Sequence, residues 1–256
     1  MKVTREEHRG CGLPDLRRHD QNMTDHTRYA IYWTSRPGPL TDCAAAWLGW
    51  NPWTSVETPP TPGFGRLPGS SKITEEPRRY GFHATLKAPF RLAEGRDRGG
   101  LEAAVQRFAE DQAAVRLDGL GFSLLSGFVA LRPRGDVAEL NRLAMRIVEF
   151  FDDFRAPLTE AEIARRRPET LSPQQRQKLL DWGYPYVGDD FRFHLTLTGR
   201  VSQEMGMEVI EKLEPHLVPL LPEPLIIDCI YLFGQRPDGK FEVLKACPLT
   251  IRSPLV

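Results

Sequence analysis

The chain has 256 residues, enough to bury one large core or two small lobes. It is 41% hydrophobic and 27% charged, an ordinary globular balance that excludes a disordered chain. Lys+Arg and Asp+Glu each number 34, so the formal charge is zero and gives no footprint for a long polyanion or an anionic membrane.

No apolar run approaches the roughly 18–20 residues of a membrane span, and no signal-peptide pattern is present. Cys11, Cys43, Cys229 and Cys247 are scattered, without a C-x-x-C pair, and read as buried thiols of a reducing compartment. A cytoplasmic protein is expected. Residues 1–24 are polar, charged and without a sustained apolar period, and read as a loose tail ahead of a single domain over 25–256.

"RYAIYW" (28–33) reads as a strand from its β-branched and aromatic content. A short helix follows, with Thr41 or Asp42 as N-cap and Gly49 as its stop. From Asn51 to Arg79 six prolines and many small polar residues predict a long loop. Leu101, Ala104, Val105 and Phe108 have helical spacing and predict a helix over about 101–113. "FSLLSGFVALRP" (122–133) is a strand pair or one bent strand around Gly127. A second amphipathic helix spans about 137–151, with Asp136 and Glu139 resembling a capping box. Thr159 with Glu162, and Ser172-Pro173 with Gln175, open two more helices, the latter ending at Gly183. A strand begins near Phe191, a helix covers about 203–217, and a hairpin around Pro237-Asp238-Gly239 closes the chain.

Two of these segments repeat each other. "YGFHATL" (80–86) and "FRFHLTL" (191–197) share an aromatic, any residue, Phe, then His-x-Thr-Leu. With 6 histidines in the chain, chance accounts for less than one His-x-Thr match; the shared flanks make the pair hard to dismiss. The elements around them echo as halves of about 28–115 and 116–250. That pattern predicts a duplicated, bilobal α+β fold, with two antiparallel sheets facing across a central cleft and helices outside.

Side chains alternate along a strand, so His83 and Thr85 share one face, with Phe82, Ala84 and Leu86 on the other. His194 and Thr196 share a face in the same way, backed by Phe193, Leu195 and Leu197. Two imidazoles near pKa ~6.5 suit phosphodiester hydrolysis, one as base toward water and one as acid toward the leaving oxygen. The threonine hydroxyls can hold non-bridging phosphate oxygens. No carboxylate or cysteine recurs with the histidines, so neither a metal nor any other cofactor is expected.

Paired His-x-Thr-Leu motifs, one per half, resemble the two-histidine (2H) phosphoesterase superfamily, whose RNA ligase-like and cyclic phosphodiesterase members act on 2′,3′-cyclic nucleotides or RNA ends. "RYAIYW", "YGFHATLKAPFRL", "RAPLTEAEIARRRPETLSPQQ" and "WGYPYVGDDFRFHLTLTGR" resemble more closely a bacterial family of phosphonate metabolism proteins that lacks an established reaction. The resemblance implies a bilobal fold, catalytic roles for His83 and His194, and phosphate binding by Thr85 and Thr196, with acid and base unassigned. Tyr80, Lys87, Arg192, Tyr184 and Tyr186 lie in the matching segments and are candidates to line the cleft, although strand phase suits Tyr80 equally to a core. Arg165, Arg166 and Arg167 read as a solvated helix face, or else as part of an insert over the cleft. Trp47, Trp50 and Trp53 read as packing.

The expected function is metal-independent hydrolysis of a small cyclic phosphodiester, in this context a phosphorylated ribose. RNA cyclic-end processing or ligation is the first alternative, disfavoured by the neutral charge. A non-catalytic phospho-ligand binding module is the second. A small phosphorylated partner is expected, and neither a membrane nor a long nucleic acid.

Overall fold

A computed structural model describes residues 26–59 and 69–250. The expected tail at 1–24 lies outside them, as does Cys11. Strand β1 (Tyr29–Trp33) is buried along its whole length, as an unbroken apolar run requires of an interior strand. Helix α1 (Pro39–Leu48) begins earlier than expected, because Pro39 supplies a preset φ at its first turn. The Thr41 hydroxyl does not cap it; it donates back to the Arg36 carbonyl at 2.6 Å. Gly49, at φ 88°, ends the helix as expected. The described part of the proline-rich stretch is not all loop: α2 (Ser70–Ile73) and α3 (Glu75–Arg78) are single turns. Thr74 joins them, its hydroxyl donating to the Ser70 carbonyl.

After β2 (Ala84–Phe90), α4 (Arg98–Glu110) starts three residues upstream of Leu101, because the Asp97 carboxylate accepts from the Gly100 N–H at 2.7 Å. Then come β3 (Val115–Leu117), β4 (Gly119–Leu125) and β5 (Phe128–Arg134). The last two form a hairpin, settling the choice between a pair and one bent strand. Its two turn residues, Ser126 and Gly127, both have positive φ, the geometry that matches strand twist. In α5 (Ala138–Phe150) the expected capping box does not form: Val137 occupies the cap position. Asp136 instead accepts from Ala138 N–H, and Glu139 turns to Arg142. Both other capping boxes are present, opening α6 (Glu160–Arg165) and α7 (Pro173–Trp182). The second motif forms a strand, β6, of only Leu195–Thr196. It is followed by α8 (Gln203–Leu217), β7 (Leu225–Ile227), β8 (Cys229–Gln235) and β9 (Phe241–Pro248).

The fold is α+β and antiparallel: a seven-stranded sheet in the order β4-β5-β6-β2-β1-β8-β9, and a small sheet of β3 and β7. Helix α4 packs on β8 and β9, α5 on β2, and α8 on β4 and β5. The strands of the two halves, expected on opposite sides of a cleft, are joined edge to edge. Short β6 pairs with β5 on one side and with β2 on the other. The C-terminal hairpin crosses back to extend the first half, β8 lying beside β1. The three tryptophans are packing residues, each indole N–H satisfied: Trp47 by the Leu197 carbonyl, Trp50 by that of Phe241 and Trp53 by that of Ser35. Cys229 and Cys247 are buried free thiols, whereas Cys43 is only half-buried.

Candidate active site

The register between β2 and β6 places the centre of one motif opposite the centre of the other: Ala84 pairs with Leu195. In an antiparallel pair this sets His83 beside Thr196 and Thr85 beside His194. Both central residues are fully buried, so the alternation of side chains puts the two histidines and two threonines together on the opposite face. Directly opposed Cβ atoms in such a pair lie about 4.5–5.5 Å apart, and diagonal ones about 7–8 Å. The histidines are the diagonal pair. That separation leaves room for one tetrahedral anion between two imidazoles.

The repeat extends to the hydrogen bonds. His83 Nδ1 lies 3.0 Å from the Gly81 carbonyl, and His194 Nδ1 lies 2.6 Å from that of Arg192. Each ring is thus tied to the carbonyl two residues before it. A carbonyl can only accept, so Nδ1 carries the proton in both, and Nε2 is the lone-pair nitrogen of the neutral ring. The acceptor at Gly81 needs glycine: φ is 71°, and a Cβ there would sit 2.7 Å from Pro52.

The two rings differ in surroundings. His83 is buried between Tyr32 and Tyr80, at centroid distances of 4.3 and 5.2 Å. Burial drives its pKa down to about 4, the Gly81 carbonyl opposes this, and charge on His194 lowers it further. His194, half-buried against Phe128 at 5.5 Å, is also lowered by burial, opposed by the Arg192 carbonyl and aided by Arg132. Both rings are therefore neutral bases at pH 7 in the free protein. An anion bound between them would raise both values.

Two adjoining cavities open over this face. One, of about 330 Å³, is lined by His83, Thr85 and Thr196; the other, of about 410 Å³, by Thr85 and His194. Phe128, Tyr184 and Arg200 line both. Among the described residues no cluster of three His, Cys, Asp or Glu side chains has metal-binding geometry.

The remaining candidates divide. Tyr80 serves both suggested purposes, stacking on His83 and on core residue Phe241 while facing the first cavity. Tyr184 lies between the cavities, and Tyr186, exposed beside it, lines the second. Lys87 and Arg192 also line the second cavity, but their polar groups are engaged elsewhere. Lys87 Nζ donates to the Val148 carbonyl at 2.9 Å and lies 3.3 Å from Asp152. Arg192 donates to the carbonyls of Asp189 and Phe191. The arginine run splits: Arg165 and Arg167 are exposed, whereas Arg166 lines the first cavity over the Tyr184 ring at 5.0 Å. Sequence reasoning missed Arg28, Tyr32, Phe128 and Arg200. Tyr32 lies in "RYAIYW", which read only as a strand, and its pairing with Thr85 across β1 and β2 reveals its place.

A family model described as "Protein of unknown function (DUF1045)" matches residues 85–242. The chain belongs to this family. Two curated relatives of the DUF1045 protein are named ribose 1,5-bisphosphate phosphokinase PhnN. The one from Janthinobacterium sp. (strain Marseille) is 43% identical over 89% of this chain and 51% of its own length. The one from Laribacter hongkongensis (strain HLHK9) is 32% identical over 83% and 49%. The chain thus spans about half the length of the curated relatives it matches. Among solved structures, a Thermus thermophilus protein is 16% identical, with TM-score 0.41 over 88% of this chain and 100% of its own. E. coli LigT complexed with NADP+ is 15% identical, with TM-score 0.37 over 88% and 99%. Likeness of this degree decides nothing about the site.

Proposed function

We propose that this DUF1045 protein is a metal-independent phosphoesterase that opens a small cyclic phosphodiester, with a phosphorylated ribose as the substrate class. The observation that carries this reading is the motif-to-motif pairing of Ala84 with Leu195, which brings both histidines and both threonines to one face. With the phosphorus between the rings, Thr85 and Thr196 donate to its non-bridging oxygens. One Nε2 takes a proton from water, whose oxygen bonds to phosphorus. The P–O bond to the ring oxygen breaks, and the other Nε2, protonated in the complex, delivers its proton there. His83 is held neutral by its deeper burial and suits the base; His194 suits the acid.

The relatives' name supports the substrate class, since it speaks of a ribose carrying two phosphates. It does not extend here to kinase chemistry of the P-loop kind, for the chain contains no G-x-x-x-x-G-K-S/T run. The neutral formal charge favours a small substrate over a polynucleotide. The test is an assay in excess chelator, comparing a cyclic ribose phosphate with an oligonucleotide ending in a cyclic phosphate. Faster, salt-insensitive turnover of the sugar is expected. Faster turnover of the oligonucleotide with a steep salt dependence would move the function to RNA ends, and abolition by chelator would remove the two-histidine mechanism.

A further inference from the structure

Beside His83 the first cavity holds a group of side chains that acid–base chemistry does not use. The hydroxyl of Tyr32 is fully buried and has no hydrogen-bond partner. Leaving a phenol O–H unpaired away from water is unfavourable, and beside a cavity such a group is a donor open to an acceptor bound there. Burial holds the Tyr32 phenol well above its ordinary range, so it keeps its proton, and its electrostatic neighbours are Tyr80, Arg28, Tyr184 and Arg166. Two guanidinium groups and three phenols therefore converge at one end of the cleft. All five side chains line the first cavity.

Each arginine has its own support. Arg28 Nε donates to the Gln235 carboxamide at 2.7 Å, and Gln235 is itself fixed to the Gly239 carbonyl of the C-terminal hairpin. Arg166 comes from the end of α6, its guanidinium carbon 5.0 Å from the centre of the Tyr184 ring. Glu76 is the one carboxylate among the described residues lining this cavity, and it forms no ion pair with either arginine. The second cavity, on the His194 side, shares Arg200 and Tyr184 with the first, but among the described residues it has no buried unpaired hydroxyl, its Lys87 is taken up by the Val148 carbonyl and Asp152, and one Arg192 nitrogen is held by backbone carbonyls.

We infer that Arg28, Arg166 and Tyr32 form a second anion subsite, which takes a phosphomonoester on the substrate while the reacting phosphorus lies between the histidines. Planar guanidinium groups grip two phosphate oxygens at once, and the Tyr32 hydroxyl donates to a third. The substrate is then a diester whose sugar carries a terminal phosphate, lying with that phosphate toward His83. This rests on the phosphoesterase reading for its orientation but not for the binding itself.

The test compares kcat/KM for a ribose cyclic phosphodiester with and without a 5-phosphate. The wild-type protein should prefer the phosphorylated form. Arg166→Ala should lose about 10–100-fold on it, at least tenfold more than on the unphosphorylated one, and Arg166→Lys should recover only part. Tyr32→Phe should weaken the same preference while raising the melting temperature of the ligand-free protein, because it removes an unpaired buried hydroxyl. No preference in the wild type, or equal losses on both substrates, would overturn the subsite and leave the phosphoesterase reading intact. Were the protein inactive on both, that reading would fail, and calorimetry with ribose 5-phosphate would still decide the subsite. Binding at least tenfold weaker in Arg166→Ala supports it, and equal affinity overturns it.

Discussion

Replacing His83 or His194 by alanine is expected to lower kcat on a cyclic ribose phosphate by about 10²–10⁴-fold, with folding retained, since each removes one positioned proton carrier. The two losses separate when the leaving group changes. A nitrophenolate departs without a proton, so on a nitrophenyl phosphodiester His194→Ala should regain most of its activity. His83→Ala should not, because water still needs its base. The reverse pattern would exchange the roles, and full activity after either substitution would end the two-histidine account. Thr85→Ala and Thr196→Ala should cost less, each removing one hydrogen bond to phosphate. Circular dichroism of each variant checks that lost activity is not lost fold.

The largest effect on stability is expected at Asp152, the carboxylate partner of buried Lys87. Lys87 is 2% exposed, and burial pulls its pKa down to about 8 even though Asp152 opposes the shift. Asp152 also accepts from Arg155 at 2.8 Å, and its own pKa is lowered because Arg155 and Lys87 outweigh its burial. Asp152→Ala removes the partner of both Lys87 and Arg155, and should cost about 1–3 kcal/mol, because the Lys87 amine then gives up its proton instead of staying charged. Lys87→Met removes the charge and fills the space, and should cost far less. Denaturant unfolding of both variants tests the pair. Equal costs would show that Lys87 acts through something other than its partner.

Lys87 illustrates where sequence reading stops. Its strand phase puts it with His83 and Thr85, which made it a candidate for the cleft. The structure lodges it beneath α5, where Val148 and Asp152 lie 61 and 65 residues along the chain. Patterns confined to a few residues were legible: the two His-x-Thr motifs, the Thr159 and Ser172 capping boxes, Gly49 and Gly183 as helix stops, and all of α8. Asp136 failed as a cap because Val137 intervened and the carboxylate satisfied a nearer N–H. Pairings between distant strands were not legible. The meeting of Ala84 with Leu195, the two-residue length of β6, and the convergence of Arg28, Tyr32 and Arg166 depend on chain segments that sequence periodicity cannot align.

In the proposed site one phosphate engages both histidines through Nε2. The most direct measurement is proton–nitrogen NMR of the histidine side chains, across pH and with added inorganic phosphate. In the free protein both rings should be neutral at pH 7 with the proton on Nδ1, His83 charging only near pH 4. Phosphate should shift both Nε2 signals together, raise both titrations and take up protons on binding. A response from one ring alone, from neither, or with the proton on Nε2 in the free protein would contradict the account.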